Sequence, residues 1–500
     1  MLLSKILTTI LILTLGAKGG ALSSVKHRPT NEVRTYMAFT MPIDPANVKT
    51  LVDLDFSYAL GMTLVDWSSN REITSALADS WTFRGDREVN FKLNPKLKWS
   101  DGTSITASDF VSSLNRAKQV HLQDLKSLFE QVESFSATDS HTVTFKLKTS
   151  TSKTGFIRKL TEPMYGLVAL SAEGQLDLKR SAGPYIVDKV STEEISLVVN
   201  KNWLFYDSGM VGSIIIRRPP KVHEPFDIIM HDPWVNLITG SSFMPSNLES
   251  KLKTENLRLW NRQLDRVFFF SPSPRLHSEI GRNLLKALNQ KLSRERLTKG
   301  YSGFHYTNQF FPPGYILHDS NYQFKNPDNK IKIPDQFSKK PLVFLGAETR
   351  IDETQIKNIS LEIKNLLGIE PIFKIVPLNK FESARIEGDY DLLAGALPVG
   401  DPNVEGAIGF IFGLIPPIIP NAGIDGELNF KAQIDKASKL EEPSQRTLIY
   451  KKIFTRAIDE GCILPLYHYS NVVITKKGLD LSRVPTTDET VSFAKIRFKE

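Results

Sequence analysis

The stretch Leu77 to Leu114, LADSWTFRGDREVNFKLNPKLKWSDGTSITASDFVSSL, constrains the fold more than any other part of the chain. Glu88 to Asn94 alternates polar and apolar residues, the pattern of a half-buried strand. Asn94-Pro95 stops that strand, because proline cannot donate to a sheet ladder. Trp99-Ser-Asp101-Gly102 has the composition of a turn. Thr106 then supplies an N-cap, and Asp109, three residues on, places negative charge at the positive helix end. Phe110, Val111, Leu114 and Ala117 follow on one face. Taken as secondary structure alone, this is an ordinary strand–turn–helix unit of an α/β protein.

The chain opens with a basic residue, Lys5, an apolar run from Ile6 to Leu15, and small residues up to Ala21. This is the layout of a secretory signal peptide over 1–21. The run is shorter than the roughly 20 residues a bilayer span needs. No cysteine stands directly after it, which argues against a lipoprotein. A periplasmic destination is expected, with full secretion as the second choice. The remainder is too long for one core and implies two or three domains. The formal charge is +8 with the bases dispersed. With no basic–aromatic stripe, that mild excess does not point to nucleic acid. The one cysteine, Cys462, cannot form an internal disulfide.

Further phrases follow in order. Val33–Phe39 is expected as a strand and Leu51–Trp67 as mostly helix. Thr142–Leu147 alternates as a strand. Gly183-Pro184-Tyr185 turns into another strand. Phe226–Met230 is expected as a buried strand. Arg266–Ser271 is an apolar strand, and Ile280–Leu292 an amphipathic helix. Thr354–Leu367 is a helix that Gly368 closes as a C′ residue, before the strand Ile372–Val376. Ile463–Tyr469 is a late strand.

The Ala-x-x-Trp, Phe-x-Leu and Trp-Ser-Asp-Gly-x-x-x-Thr-Ala-x-Asp-Phe spacing resembles the solute-binding proteins of ABC importers, family 5, which includes the oligopeptide- and dipeptide-binding proteins. Asp44-Pro45, Gly183-Pro184-Tyr185, Asn200-Lys-Asn-Trp203, Pro312-Pro313-Gly314, Leu367-Gly368-Ile369 and Leu464-Pro-Leu-Tyr467 are similar to phrases of that family, in its order. The resemblance implies an α/β, two-lobed periplasmic-binding-protein fold (class II, cluster C type) with an extra subdomain in the first lobe. Lobe I would comprise 22–50, 181–266 and 463–500, its extra subdomain 51–180, and lobe II 267–462. It also implies capture of a peptide or similar small polar solute between lobes that close about a hinge. The partners implied are that ligand and an ABC permease in the inner membrane, with the protein a monomer. A periplasmic sensor on the same scaffold is the alternative.

In the family, an acidic residue that pairs with the peptide amine stands in a Gly-Trp-x-x-Asp-x-x-Asp-Pro context. Here the run is Ala394-Gly-Ala-Leu-Pro398-Val-Gly-Asp401-Pro402-Asn403. Aligned on Asp401-Pro402, the first acid place holds Pro398. Either Asp401 has taken over the amine, or the ligand is not a standard peptide. Asp401, Asn403, Thr40, Met41, Phe270 and Ser271 are the candidate ligand-binding residues, and Trp234 is a candidate stacking surface. No catalytic residue, metal ligand or cofactor motif is found: Gly-x-Ser-x-Gly, Walker, His-Glu-x-x-His and Cys-x-x-Cys patterns are all missing. A secreted hydrolase with a triad of distant residues stays open as a further alternative.

Overall fold

The computed structural model describes residues 31–498 except 40, 49–50, 69–71, 121–127, 149–151, 221–224, 242–243, 246–249, 251, 253, 261–263, 323–332, 349, 400–403, 415, 425, 441, 471 and 485–490. The signal peptide expected over 1–21 therefore lies outside the described residues. Three larger sheets organise the rest. The first has seven strands, in the spatial order Leu257–Trp260, Val472–Lys476, Leu237–Ser241, Glu32–Tyr36, Ser213–Arg217, Glu194–Val199 and Tyr185–Val190. Glu32–Tyr36 runs parallel to both of its neighbours there.

The second sheet has four antiparallel strands, Ala78–Arg84, Glu88–Leu93, Thr142–Leu147 and Val132–Asp139. The helix Ala107–Val120 buries Phe110, Ser113, Leu114 and Ala117 in this unit. Its start is as expected. Thr106 N–H and Oγ1 both donate to Asp109 Oδ2, at 2.7 and 2.8 Å, and Asp109 N–H returns a bond to Thr106 Oγ1 at 3.3 Å. Three donors at the helix end are thereby satisfied.

The third sheet has six strands, in the order His305–Tyr306, Leu464–Tyr469, Arg266–Pro272, Leu392–Pro398, Val343–Ala347 and Ile372–Val376. Phe268 and Phe270 pack into one apolar cluster and Val267 and Phe269 into another. A strand covered on both faces has no polar side, which explains the unbroken Val-Phe-Phe-Phe run. The helix Glu353–Leu367 starts on a capping box, Asp352 with Gln355, and ends at Gly368 with φ +76°.

Three expectations change. Phe226–Met230 lies in a helix, Pro225–His231. A five-residue apolar run does not separate strand from helix, and proline at the first helical position favours the latter. Leu51–Leu60 is helical, but Val65–Trp67 is a strand paired with Ile73–Ser75. The β-branched Thr63 and Val65 beyond Gly61 suit that change. The strand Leu464–Tyr469 stays in the six-stranded sheet, so the chain leaves that sheet after Tyr469 and not at Ile463.

The signature turn docks on a second phrase of the chain. Ser100 N–H donates to Ser181 O at 2.9 Å, and Ser181 N–H to Ser100 Oγ at 3.1 Å. Asn202 Nδ2 donates to Ser100 O at 2.9 Å, and Asn200 Nδ2 to Gly183 O at 2.8 Å. The buried Trp99 ring lies under the Arg180 guanidinium, 4.5 Å away, and Arg180 Nε is 3.0 Å from Asp101. A Cβ on Gly183 would come within 2.7 Å of Ala59 O and Leu60 C. The Ala-Gly-Pro phrase thus needs glycine because the end of helix Leu51–Leu60 is pressed against it.

Candidate solute site at the joined sheet edges

Chain direction singles out a candidate site. In the seven-stranded sheet, Tyr36 and Arg217 end adjacent parallel strands and are register partners. The strand Leu237–Ser241 ends near them, where Ser241 pairs with Val472 and Trp260 pairs with Val473. In the six-stranded sheet, Leu392–Pro398 and Val343–Ala347 are parallel, and Pro398 pairs with Arg266. Arg266 also pairs with Tyr469. The chain passes between the sheets from Trp260 to Arg266 and from Tyr469 to Val472. Both passages therefore leave from the carboxyl ends of the parallel strands, in both sheets. Ligands of open α/β sheets bind outside those ends.

On the seven-stranded side the edge carries a linked aromatic and charged group. Tyr36 OH donates to Asp232 Oδ2 at 2.6 Å, and Trp234 N–H donates to Asp232 Oδ1 at 2.8 Å. The rings of Tyr36 and Trp234 are 5.0 Å apart. The Arg217 guanidinium lies over Trp234 at 4.2 Å, and its Nε is 2.7 Å from Glu194. Burial, reinforced by the bond to Asp232, pushes the Tyr36 phenol up to about 12. It stays a neutral donor at any physiological pH. Lys476 Nζ donates to Asp232 O at 2.6 Å.

On the six-stranded side two guanidiniums share the edge. Arg350 follows the strand Val343–Ala347, and its N–H donates to Ala347 O at 2.9 Å. Its guanidinium sits 5.3 Å from the Phe381 ring. Burial, together with Arg266, holds Arg350 below its ordinary value, while Tyr469 and Glu382 act the other way. Asp265 precedes Arg266 and is 1% exposed. Its N–H donates to Tyr469 O at 3.2 Å, and its carbonyl accepts from Val399 N–H at 2.7 Å. Its carboxylate is 4.0 Å from Arg266 Nε. The Asp265 carboxylate offsets part of the repulsion between these two cations, and a second anion beside them would offset more.

The residues singled out from sequence are distributed unevenly. Met41, 41% exposed, follows the central strand Glu32–Tyr36. Trp234 lies in the aromatic group. Thr40, Asp401 and Asn403 fall outside the described residues. Phe270 and Ser271 lie toward the opposite end of their strand from Arg266, where Pro272 pairs with Leu392. Both are committed to the core: Phe270 packs on Phe344 at 5.1 Å, and the Ser271 hydroxyl donates to Ile418 O. That corrects their expected place at the crossing. Sequence reasoning missed Arg217, Arg266 and Arg350. The signal available was an arginine immediately after an apolar strand at Arg217, and immediately before one at Arg266. Among the described residues, no group of three or more His, Cys, Asp or Glu could hold a metal ion. No helix among them is long and apolar enough to cross a membrane.

Residues 72–223 match the model of bacterial extracellular solute-binding proteins, family 5 Middle. A curated relative, the periplasmic murein peptide-binding protein MppA of Escherichia coli K12, is 35% identical over 74 residues, 15% of this chain. That match spans 14% of the relative's length. DppA of Helicobacter pylori, solved with the peptide STSA, superposes with a TM-score of 0.73 at 17% identity, covering 94% of this chain and 98% of that one. NikA of Brucella suis, solved with Fe(III)-EDTA, gives 0.76 at 14% identity, covering 94% and 100%. These likenesses establish the fold as the two-lobed periplasmic-binding one.

Proposed function

We propose that this chain, whose residues 72–223 are a family 5 solute-binding segment, captures a peptide or similar small polar solute between its two lobes. It then delivers the solute to an ABC permease of the inner membrane. One observation carries the reading. Two sheets are joined at the carboxyl ends of their parallel strands, and the edges so joined bear Tyr36, Trp234, Arg217, Arg266 and Arg350. Solutes of open α/β folds bind outside such strand ends, which supports the reading. The murein-peptide-binding relative and the peptide-bound DppA support a peptide-like ligand.

In this reading Arg350 and Arg266 receive a carboxylate of the solute, because charge-assisted bonds from guanidinium are the strong ones available there. Asp401 and Asn403 meet its amine end, with Thr40 and Met41 on the opposing wall. The protein acts in the periplasm as a monomer, after removal of 1–21, and performs no chemistry on its cargo. Lobe I comprises the seven-stranded sheet with the four-stranded subdomain, and lobe II the six-stranded sheet.

Native mass spectrometry of the protein purified from periplasm tests this. A copurifying small carboxylate-bearing molecule, followed by a rise in melting temperature on its return to stripped protein, is the expected result. A stripped protein whose melting temperature no peptide or amino-acid conjugate changes would reject it.

A further inference from the structure

We propose that Arg116 is a positioning residue for the solute cleft, which rests on the reading of the joined edges as that cleft. The loop after Glu32–Tyr36 is fixed at two apolar points and one ionic point. Phe39 is buried against Phe56, with the Arg218 guanidinium 4.4 Å from its ring. Ile43 is buried. Asp44 receives both terminal nitrogens of Arg116, at 2.9 and 2.7 Å. Between these anchors stands the exposed Met41.

Arg116 comes from elsewhere in the chain, on the helix Ala107–Val120 that the signature phrase opens. That helix is held independently of Arg116. Its start is fixed by Thr106 and Asp109. Its middle is fixed by Ser113, whose hydroxyl donates to Gly166 O and accepts from Val168 N–H, both at 2.9 Å. A rigid helix therefore presents a planar fork to a loop carboxylate. The same carboxylate accepts Ala46 N–H at 3.0 Å, and the Asp44 carbonyl accepts Asn47 N–H at 2.9 Å. The loop thus turns around Asp44, and Arg116 holds the turn from the four-stranded unit. The side chains of the pair are 20% and 15% exposed, so solvent replaces a lost partner only in part. The signature phrase acquires a function at a distance: it aims one guanidinium at the cleft wall.

Hydrogen exchange by mass spectrometry on the full chain tests this, in wild type, Arg116→Ala, Arg116→Lys and Asp44→Asn. Arg116→Ala and Asp44→Asn are expected to speed exchange of amides 41–47 about tenfold, equivalent to ~1.4 kcal/mol, while helix 107–120 and strand 142–147 keep their rates. Arg116→Lys should restore part of the protection, since an ammonium meets one oxygen but not both. Unchanged exchange at 41–47, or an equal rise across 107–120 and 142–147, would overturn the proposal. Calorimetric titration with tri-alanine supplies the second arm. Wild-type binding that weakens about tenfold in the alanine variant and recovers partly in the lysine variant supports positioning. A loosened loop with unchanged tri-alanine affinity overturns it. Wild type that ignores tri-alanine counts against the peptide reading, and the exchange data then judge the clamp alone.

Discussion

The seam between the signature turn and the Ser181–Gly183 phrase differs from the joined sheet edges in how its polar groups are used. At the seam, the polar groups of Ser100, Ser181, Asn200 and Asn202 bond to one another and to Gly183, and the Trp99 ring is buried under the Arg180 guanidinium. At the edges, Arg350 and Arg266 lie together, and Arg217 and Trp234 are only half-buried. Polar groups bonded to one another stabilise and have little left to offer a ligand. Like charges brought close, with Asp265 offsetting part of the repulsion, favour an anion. The contrast teaches that the residues which make this chain recognisable are those that hold it together, while those that would meet a solute are elsewhere.

Perturbing each region should move a different observable. The largest change is expected for Trp99→Ala, about 3–5 kcal/mol of unfolding free energy for an emptied, fully buried ring. Urea melts measure it. Affinity in the remaining folded protein should be unchanged, and a large loss of affinity would blur the distinction between seam and edge.

Next is the strand that carries Tyr469 to the edge. His468 is 2% exposed and Nε2 lies 3.2 Å from Phe310 O. Burial first, against its bonds to the loop carbonyls and with His318 and His305 nearby, holds it down to about 4 from 6.5. As pH falls below ~6.5 the unfolded chain takes up a proton that the folded chain refuses. Stability is therefore full above that pH and declines down to about 4, by ~3 kcal/mol in all. His468→Gln should flatten this part of the urea-midpoint profile between pH 7.5 and 4.5.

Arg350→Gln comes third. It should leave the melting temperature within a few degrees and weaken a carboxylate-bearing solute by ~1.5–3 kcal/mol, the range for hydrogen bonds to charged groups. A matched solute with its carboxylate amidated should bind both proteins alike. The smallest effect is expected at Asp401→Ala, about 1 kcal/mol on a solute with a free amine and none on its acetylated form. Equal affinities for both forms would make Asp401 a turn residue before Pro402.

Most elements of the fold were legible because local rules and tertiary packing agree. The Thr106–Asp109 cap, the alternating Glu88–Leu93, the Phe-rich Arg266–Pro272 and the Gly368 stop all carry their reasons within a few residues. The failures are short segments whose pattern is compatible with two states, as at Pro225–His231. The site was less legible. Arg350 stands in an ordinary loop sequence, and only the parallel register of Val343–Ala347 with Leu392–Pro398 puts it at a carboxyl edge. Ser271 was misplaced because strand direction cannot be read from an apolar run. The sequence around Phe270 names a strand but not which of its ends faces solvent.

The late segment 464–476 supplies one strand to the six-stranded sheet and another to the seven-stranded sheet. Its partners Glu32–Tyr36, through Leu237–Ser241, and Arg266–Pro272 are made far earlier in synthesis. Neither sheet can finish before almost the whole polypeptide has emerged. Such long-range pairing is slow to form. The final strands act as a staple that joins both sheets only once nearly the whole chain is made.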